Sequence, residues 1–113
     1  MRVKIKPLDK LFSQYIKARD KYCQRCGGSG GLQTSHFWGR KRQLVRYDPD
    51  NAVLLCFGCH QYLSANPAEH TAWFKKHLGE EAFELLESRA NQVGKIDENA
   101  VYLYLKEKLK EVK

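Results

Sequence analysis

Four cysteines fall as two Cys-x-x-Cys pairs, Cys23/Cys26 and Cys56/Cys59, with 29 residues between the pairs. Each pair turns two sulfurs toward one point, and four thiolates complete a closed tetrahedral zinc site. Gly27, Gly28, Gly30 and Gly31 follow the first pair and permit the tight turn of a metal knuckle. A disulfide framework is the first alternative, but the opening stretch MRVKIKPLDKLF lacks the run of about 7–15 apolar residues found in a secretory signal. A redox pair is the second, and it would sit in a βαβ pattern that these flanks do not show. The expectation is structural zinc, whose binding energy becomes folding energy in a small domain.

The interval between the pairs is longer than the 15–20 residues of a simple zinc ribbon. It holds His36, then Arg40, Lys41, Arg42 and Arg46, then Asp48, Asp50 and Asn51, and His60 directly follows Cys59. A neutral imidazole can act as a base near pH 7. A histidine one residue from a zinc ligand has its direction fixed and can hold a second divalent ion. The four basic residues can meet phosphates, which sets affinity and register rather than sequence preference and makes binding weaken with salt. Together these groups suit hydrolysis of a phosphodiester, which needs a base for water, a cation for the phosphate and a frame that aligns both. The aspartates also have an ordinary use in the turn DPDN. Phe37 and Trp38 are expected to pack on a small core, and His70 and His77 to lie on a helix without a chemical role.

The elements that would position these residues follow from periodicity. Leu8, Leu11, Phe12, Tyr15 and Ile16 form one apolar stripe of a helix over residues 8–20, which closes on Arg19 and leads into the first pair. Leu32 to Phe37 and Asn51 to Leu55 read as two strands joined by the basic loop WGRKRQLVRYDPD. A helix is expected to open at about Cys59. Three more follow: one capped by Asn66 with Pro67 and Glu69 behind it and closed by Gly79, one over Glu80 to Val93, and one from Asp97 through Val112. The fold class is therefore α+β, one domain over 1–113, with a zinc-held core over 8–63 and a helical extension over 66–113.

At 113 residues, 42% hydrophobic and 29% charged, the chain has the composition of a folded domain rather than a disordered one. No apolar run approaches the roughly 20 residues of a membrane helix, and a cytoplasmic location is expected. The formal charge of +7 is uneven: residues 1–50 carry 12 Lys/Arg against 4 Asp/Glu, while residues 51–113 carry 8 against 9. A one-sided basic field attracts polyanions, nucleic acid above all. The acidic stretch GEEAFELLES should face away from such a partner.

The order His36, Asn51, His60, with the last histidine abutting Cys-x-x-Cys, resembles the HNH (ββα-metal) nucleases of the zinc-stabilised kind. More narrowly, SHFWGRKRQLVRYDPDN is similar to the phage recombination nucleases of the NinG/Rap type. The resemblance covers residues 8–63 and implies a treble-clef-like ββα-metal core in which His36 is the general base. It implies that Asn51 ties the loop and orients His36, and that His60 holds a catalytic Mg²⁺ or Mn²⁺. The products would end in 5′-phosphate and 3′-hydroxyl, and the substrate would be double-stranded or branched DNA. Many HNH nucleases carry an aspartate ligand just before the base. Here Ser35 stands there, as NinG-like proteins also lack that carboxylate; Asp48 is the substitute we favour, with Asp50 the other. Two further readings stay open: a zinc-dependent DNA-binding accessory protein that does not cut, and a zinc-stapled protein-interaction domain. A concerted double cut would need two active sites, which a homodimer would supply.

Overall fold

The apolar stripe expected near the N-terminus is the buried face of helix α1 (Pro7–Asp20), where Leu8, Leu11, Phe12, Tyr15 and Ile16 all leave solvent. Pro7 suits the first helical turn, where its missing N–H costs nothing, and Asp9 favours the positive end of the helix dipole. Lys21 then turns the chain at φ +69°, and its N–H closes the helix on the Lys17 carbonyl at 2.9 Å. The computed structural model describes residues 7–39 and 41–112. Arg40 lies outside them, as do Arg2, Lys4 and Lys6, which contribute to the N-terminal charge.

Strands β1 (Gln33–His36) and β2 (Ala52–Leu55) pair antiparallel, with Gln33 opposite Leu55 and His36 opposite Ala52. The loop between them contains two short 3-10 turns, Gln43–Val45 and Pro49–Asn51. Helices α2 (Phe57–Ala65), α3 (Pro67–Leu78), α4 (Glu80–Ala90) and α5 (Glu98–Val112) follow. Among the described residues this is an α+β fold of five α-helices and one hairpin. None of the helices is long and apolar enough to cross a membrane.

Because side chains alternate across a strand, the hairpin has two faces, and both are buried. Val53 and Leu55 join Leu63, Phe74, Phe83 and Leu86 from α2, α3 and α4. Ala52 and Leu54 join the α1 stripe and Leu105 of α5. The C-terminal helices therefore complete both sides of the sheet. The free side of β2 is also paired: Asp20 accepts from the Leu54 amide at 2.9 Å, and the Gln24 amide donates to the Leu54 carbonyl at 3.0 Å. Arg19, which ends the stripe, donates to the carbonyls of Pro49 and Ala52, each at 2.8 Å, so α1 supplies the partners of what would be an open sheet edge.

Three local expectations change. Helix α2 begins at Phe57, two residues before Cys59, because Cys56 serves as its N-cap. The Asn66 side chain does not cap α3; it donates to the Tyr62 carbonyl at 2.7 Å and so closes the end of α2 instead. Helix α4 stops at Ala90 rather than Val93, and Val93 stands fully in solvent with no apolar face to extend. Asp97 does cap α5, accepting from the amides of Asn99 and Ala100.

Candidate metal centre and hairpin site

The two Cys-x-x-Cys pairs meet where the segment after α1 approaches the start of α2. All four sulfurs lie within 4.8 Å of one another, and Cys26 Sγ is 3.7 Å from Cys56 Sγ. Four sulfurs bound at about 2.3 Å to one tetrahedral ion would stand about 3.8 Å apart, so the cluster fits a metal such as zinc. Backbone amides point at the sulfurs as thiolates require: Cys26 N–H to Cys23 Sγ, Gly28 N–H to Cys26 Sγ and Cys59 N–H to Cys56 Sγ, at 3.4–3.5 Å. Gly27, at φ +79°, makes the first turn possible, and its N–H returns to the Cys23 carbonyl at 2.9 Å. The thiols are unequal. Burial pushes Cys23 up, but hydrogen bonds from the backbone at Cys26, Cys56 and Arg25 outweigh it and bring the thiol down to about 6. Burial raises Cys59 to about 12 against the opposing pull of Arg25, whose Nη1 donates to its sulfur at 3.5 Å. A divalent ion would deprotonate the set together.

His36 ends β1 on the face that meets α1. Its ring lies 5.4 Å from that of Phe12, and its Nε2 is 3.0 Å from the Arg46 carbonyl. Asn51 is fully buried, and its amide is spent on the loop: Oδ1 accepts from Trp38 N–H at 2.8 Å, while Nδ2 donates to the carbonyls of Trp38 at 2.9 Å and Val45 at 3.0 Å. The residue after His36 is held too, since Phe37 N–H donates to the Asn51 carbonyl at 2.9 Å. Asn51 thus fixes both ends of the segment that carries the Arg46 carbonyl to His36.

His60 belongs to the other face. Its Nδ1 is bonded to Gln33 Oε1 at 2.5 Å, and Gln33 points the same way as Val53 and Leu55 rather than as His36. Gln33 is the site residue that sequence reasoning missed; one signal was its position three residues before His36 on a strand facing α2. Ser35 shares this face and is buried opposite Val53. Asp48 does not gather with His60. Its carboxylate accepts from Arg89 Nε of α4 at 2.8 Å and from the Asp50 amide at 3.0 Å, while Asp50 takes a longer bond from Arg89 at 3.4 Å.

The basic residues divide. Arg46 closes on Asp9 of α1, Nη2 to Oδ2 at 2.7 Å and Nε to Oδ1 at 3.2 Å, with both side chains only 11–12% exposed, so it joins the loop to α1. Lys41 and Arg42 are exposed, and the Arg42 guanidinium lies 5.3 Å over the Trp38 ring. Phe37 packs as expected, stacked on Phe74 at 4.8 Å and edge-on to Phe83 at 5.4 Å. His70 packs edge-on to Phe37 at 5.2 Å, and His77 stacks on Trp73 at 4.9 Å. Compared with known proteins, the chain matches no family model, no curated protein and no solved structure.

Proposed function

We propose that the chain is a metal-dependent DNA endonuclease of the HNH type, in which the β1–β2 hairpin and α2 form the ββα core and His36 is the general base. The observation that carries this reading is the bond from His36 to the Arg46 carbonyl. A carbonyl can only accept, so the bond puts a ring proton on Nε2 and fixes the direction of the imidazole, as a base that takes a proton from water requires. Asn51 is a positioning residue here, since it holds the loop that brings the carbonyl to the ring. The same logic applies to His60. Gln33 Oε1 accepts from Nδ1–H, which leaves the Nε2 lone pair for a divalent ion.

Such an ion, when bound, would neutralise charge on the phosphate and the leaving oxygen. The donor set that this chain offers is narrow, because Ser35 replaces a carboxylate and Asp48 is engaged by Arg89. A single imidazole suits a first-row transition ion better than Mg²⁺, so Mn²⁺ is expected to support more cutting. Lys41 and Arg42 would grip the backbone beside the scissile bond. The narrow donor set also favours the second reading, a zinc-dependent DNA-binding protein without cleavage. Zinc-loaded protein should be incubated with supercoiled plasmid and with a four-way junction, with Mn²⁺, Mg²⁺ or no added ion, beside His36→Ala. Cutting that requires both the added ion and His36 supports the enzyme; a salt-sensitive gel shift with no cutting under any ion supports the binding protein and ends the nuclease proposal.

A further inference from the structure

Beside His60 runs an open groove of about 860 Å³ whose walls include Phe57, Tyr62, Gln61 and Asn66, with Gln33 and His60 in its lining. Phe57 and Tyr62 keep 54% and 43% of their surface in solvent. A lone exposed aromatic residue is ordinary, but two on one short helix, on either side of a histidine and among neutral amides, make a surface of a particular chemistry. The lining contains no carboxylate. Arg25 lies 4.6 Å over the Tyr62 ring while also reaching Cys59 Sγ, so it sets positive charge between the cysteine cluster and the groove. Phe57 is held from behind by Gly31, at φ +60°, where even a Cβ would come within 3.1 Å of the Phe57 Cβ.

We infer that this groove takes one unpaired DNA base, stacked on Phe57 or Tyr62 beside His60. The inference rests on the nuclease reading of His60, to which it adds a base-stacking subsite. Inside a duplex both faces of a base are covered by its neighbours, so only a splayed base can use an aromatic platform, whereas phosphates meet Arg25 in either form. The positive rim and the acid-free lining match a polyanion.

The test is fluorescence anisotropy with zinc-loaded full-length protein and no other divalent ion, using single-stranded, forked and blunt duplex DNA of one sequence. A 2-aminopurine base in the single-stranded arm reports stacking by quenching. Forked and single-stranded DNA should bind more tightly than duplex. Tyr62→Leu and Phe57→Leu, checked for zinc content and circular dichroism, should together lose on the order of tenfold on those ligands, with little change on duplex and with the quenching gone. Equal losses on all three ligands, or unchanged affinity and quenching in the double variant, would overturn the inference. The two proposals fail separately. Plasmid cutting by a double variant with unchanged single-strand binding leaves the nuclease and removes the stacking groove; stacking without any cutting does the reverse.

Discussion

Val53 and Leu55 face the cysteine cluster, α2, α3 and α4, whereas Ala52 and Leu54, one residue away in each case, face α1 and α5. The first face is closed by elements that follow one another in the chain and is pinned by four sulfurs. The second is closed by helices from opposite ends of the sequence, together with the Arg46–Asp9 pair. His36 belongs to the second face and His60 to the first. A reaction that used both would depend on two supports of different physical kind, which meet at the hairpin and its loop.

The strongest way to break that comparison is to remove the metal support. Cys56 is both a cluster sulfur and the N-cap of α2, and serine keeps the cap while removing the sulfur, so Cys56→Ser should abolish stoichiometric zinc and destabilise the α2–α4 face by several kcal/mol, given the ~10–16 kcal/mol that structural zinc contributes to zinc-finger peptides at neutral pH. Zinc content and thermal unfolding followed by circular dichroism check this; full stability without zinc would mean that the apolar contacts close the face unaided. Asn51→Ala attacks the joint between the faces. It strips the partner from Trp38 N–H and two carbonyls, at a cost of about 2–4 kcal/mol in denaturant unfolding. A loss below ~1 kcal/mol would show that water or a rearranged loop satisfies those groups.

Asp9→Asn tests the second face alone. Leaving Arg46 in place without its carboxylate should cost about 1–3 kcal/mol, because both side chains are nearly buried, while zinc content stays unchanged. Reduced zinc in that variant would mean that the two faces are coupled. The smallest effect concerns His70 on the first face, whose pKa burial lowers, with further lowering from His60. In the unfolded chain His70 takes up its proton first, so it withdraws stability as pH falls below its ordinary value of about 6.5, until the folded form also titrates. His70→Phe should flatten that part of the stability–pH curve measured by denaturant unfolding; an unchanged slope would assign it to other groups.

What could be read in advance has a common character. The α1 stripe, the Asp97 cap, the Gly79 stop and the spacing of the four cysteines are written within a few residues of one another, where helix period, turn chemistry and ligand spacing act directly. The errors were equally local in kind: Asn66 closes the preceding helix because the Tyr62 carbonyl lies within reach, and a cysteine of the cluster also starts α2. The cysteine cluster was legible as a list of residues, and Asn51 was legible as a tie of the loop.

The sequence by itself determined most of the helices and strands and the two Cys-x-x-Cys turns, because each rests on short-range pattern. Only the tertiary structure decided where the side chains are spent. Arg46 meets Asp9 across 37 positions, Asp48 meets Arg89 across 41, and His60 meets Gln33 across 27. A charge carries no mark of which distant opposite charge it will find. That choice is made by helix packing, which brings α1 and α4 against the loop and turns basic and acidic residues that look alike in sequence into internal braces or exposed cations.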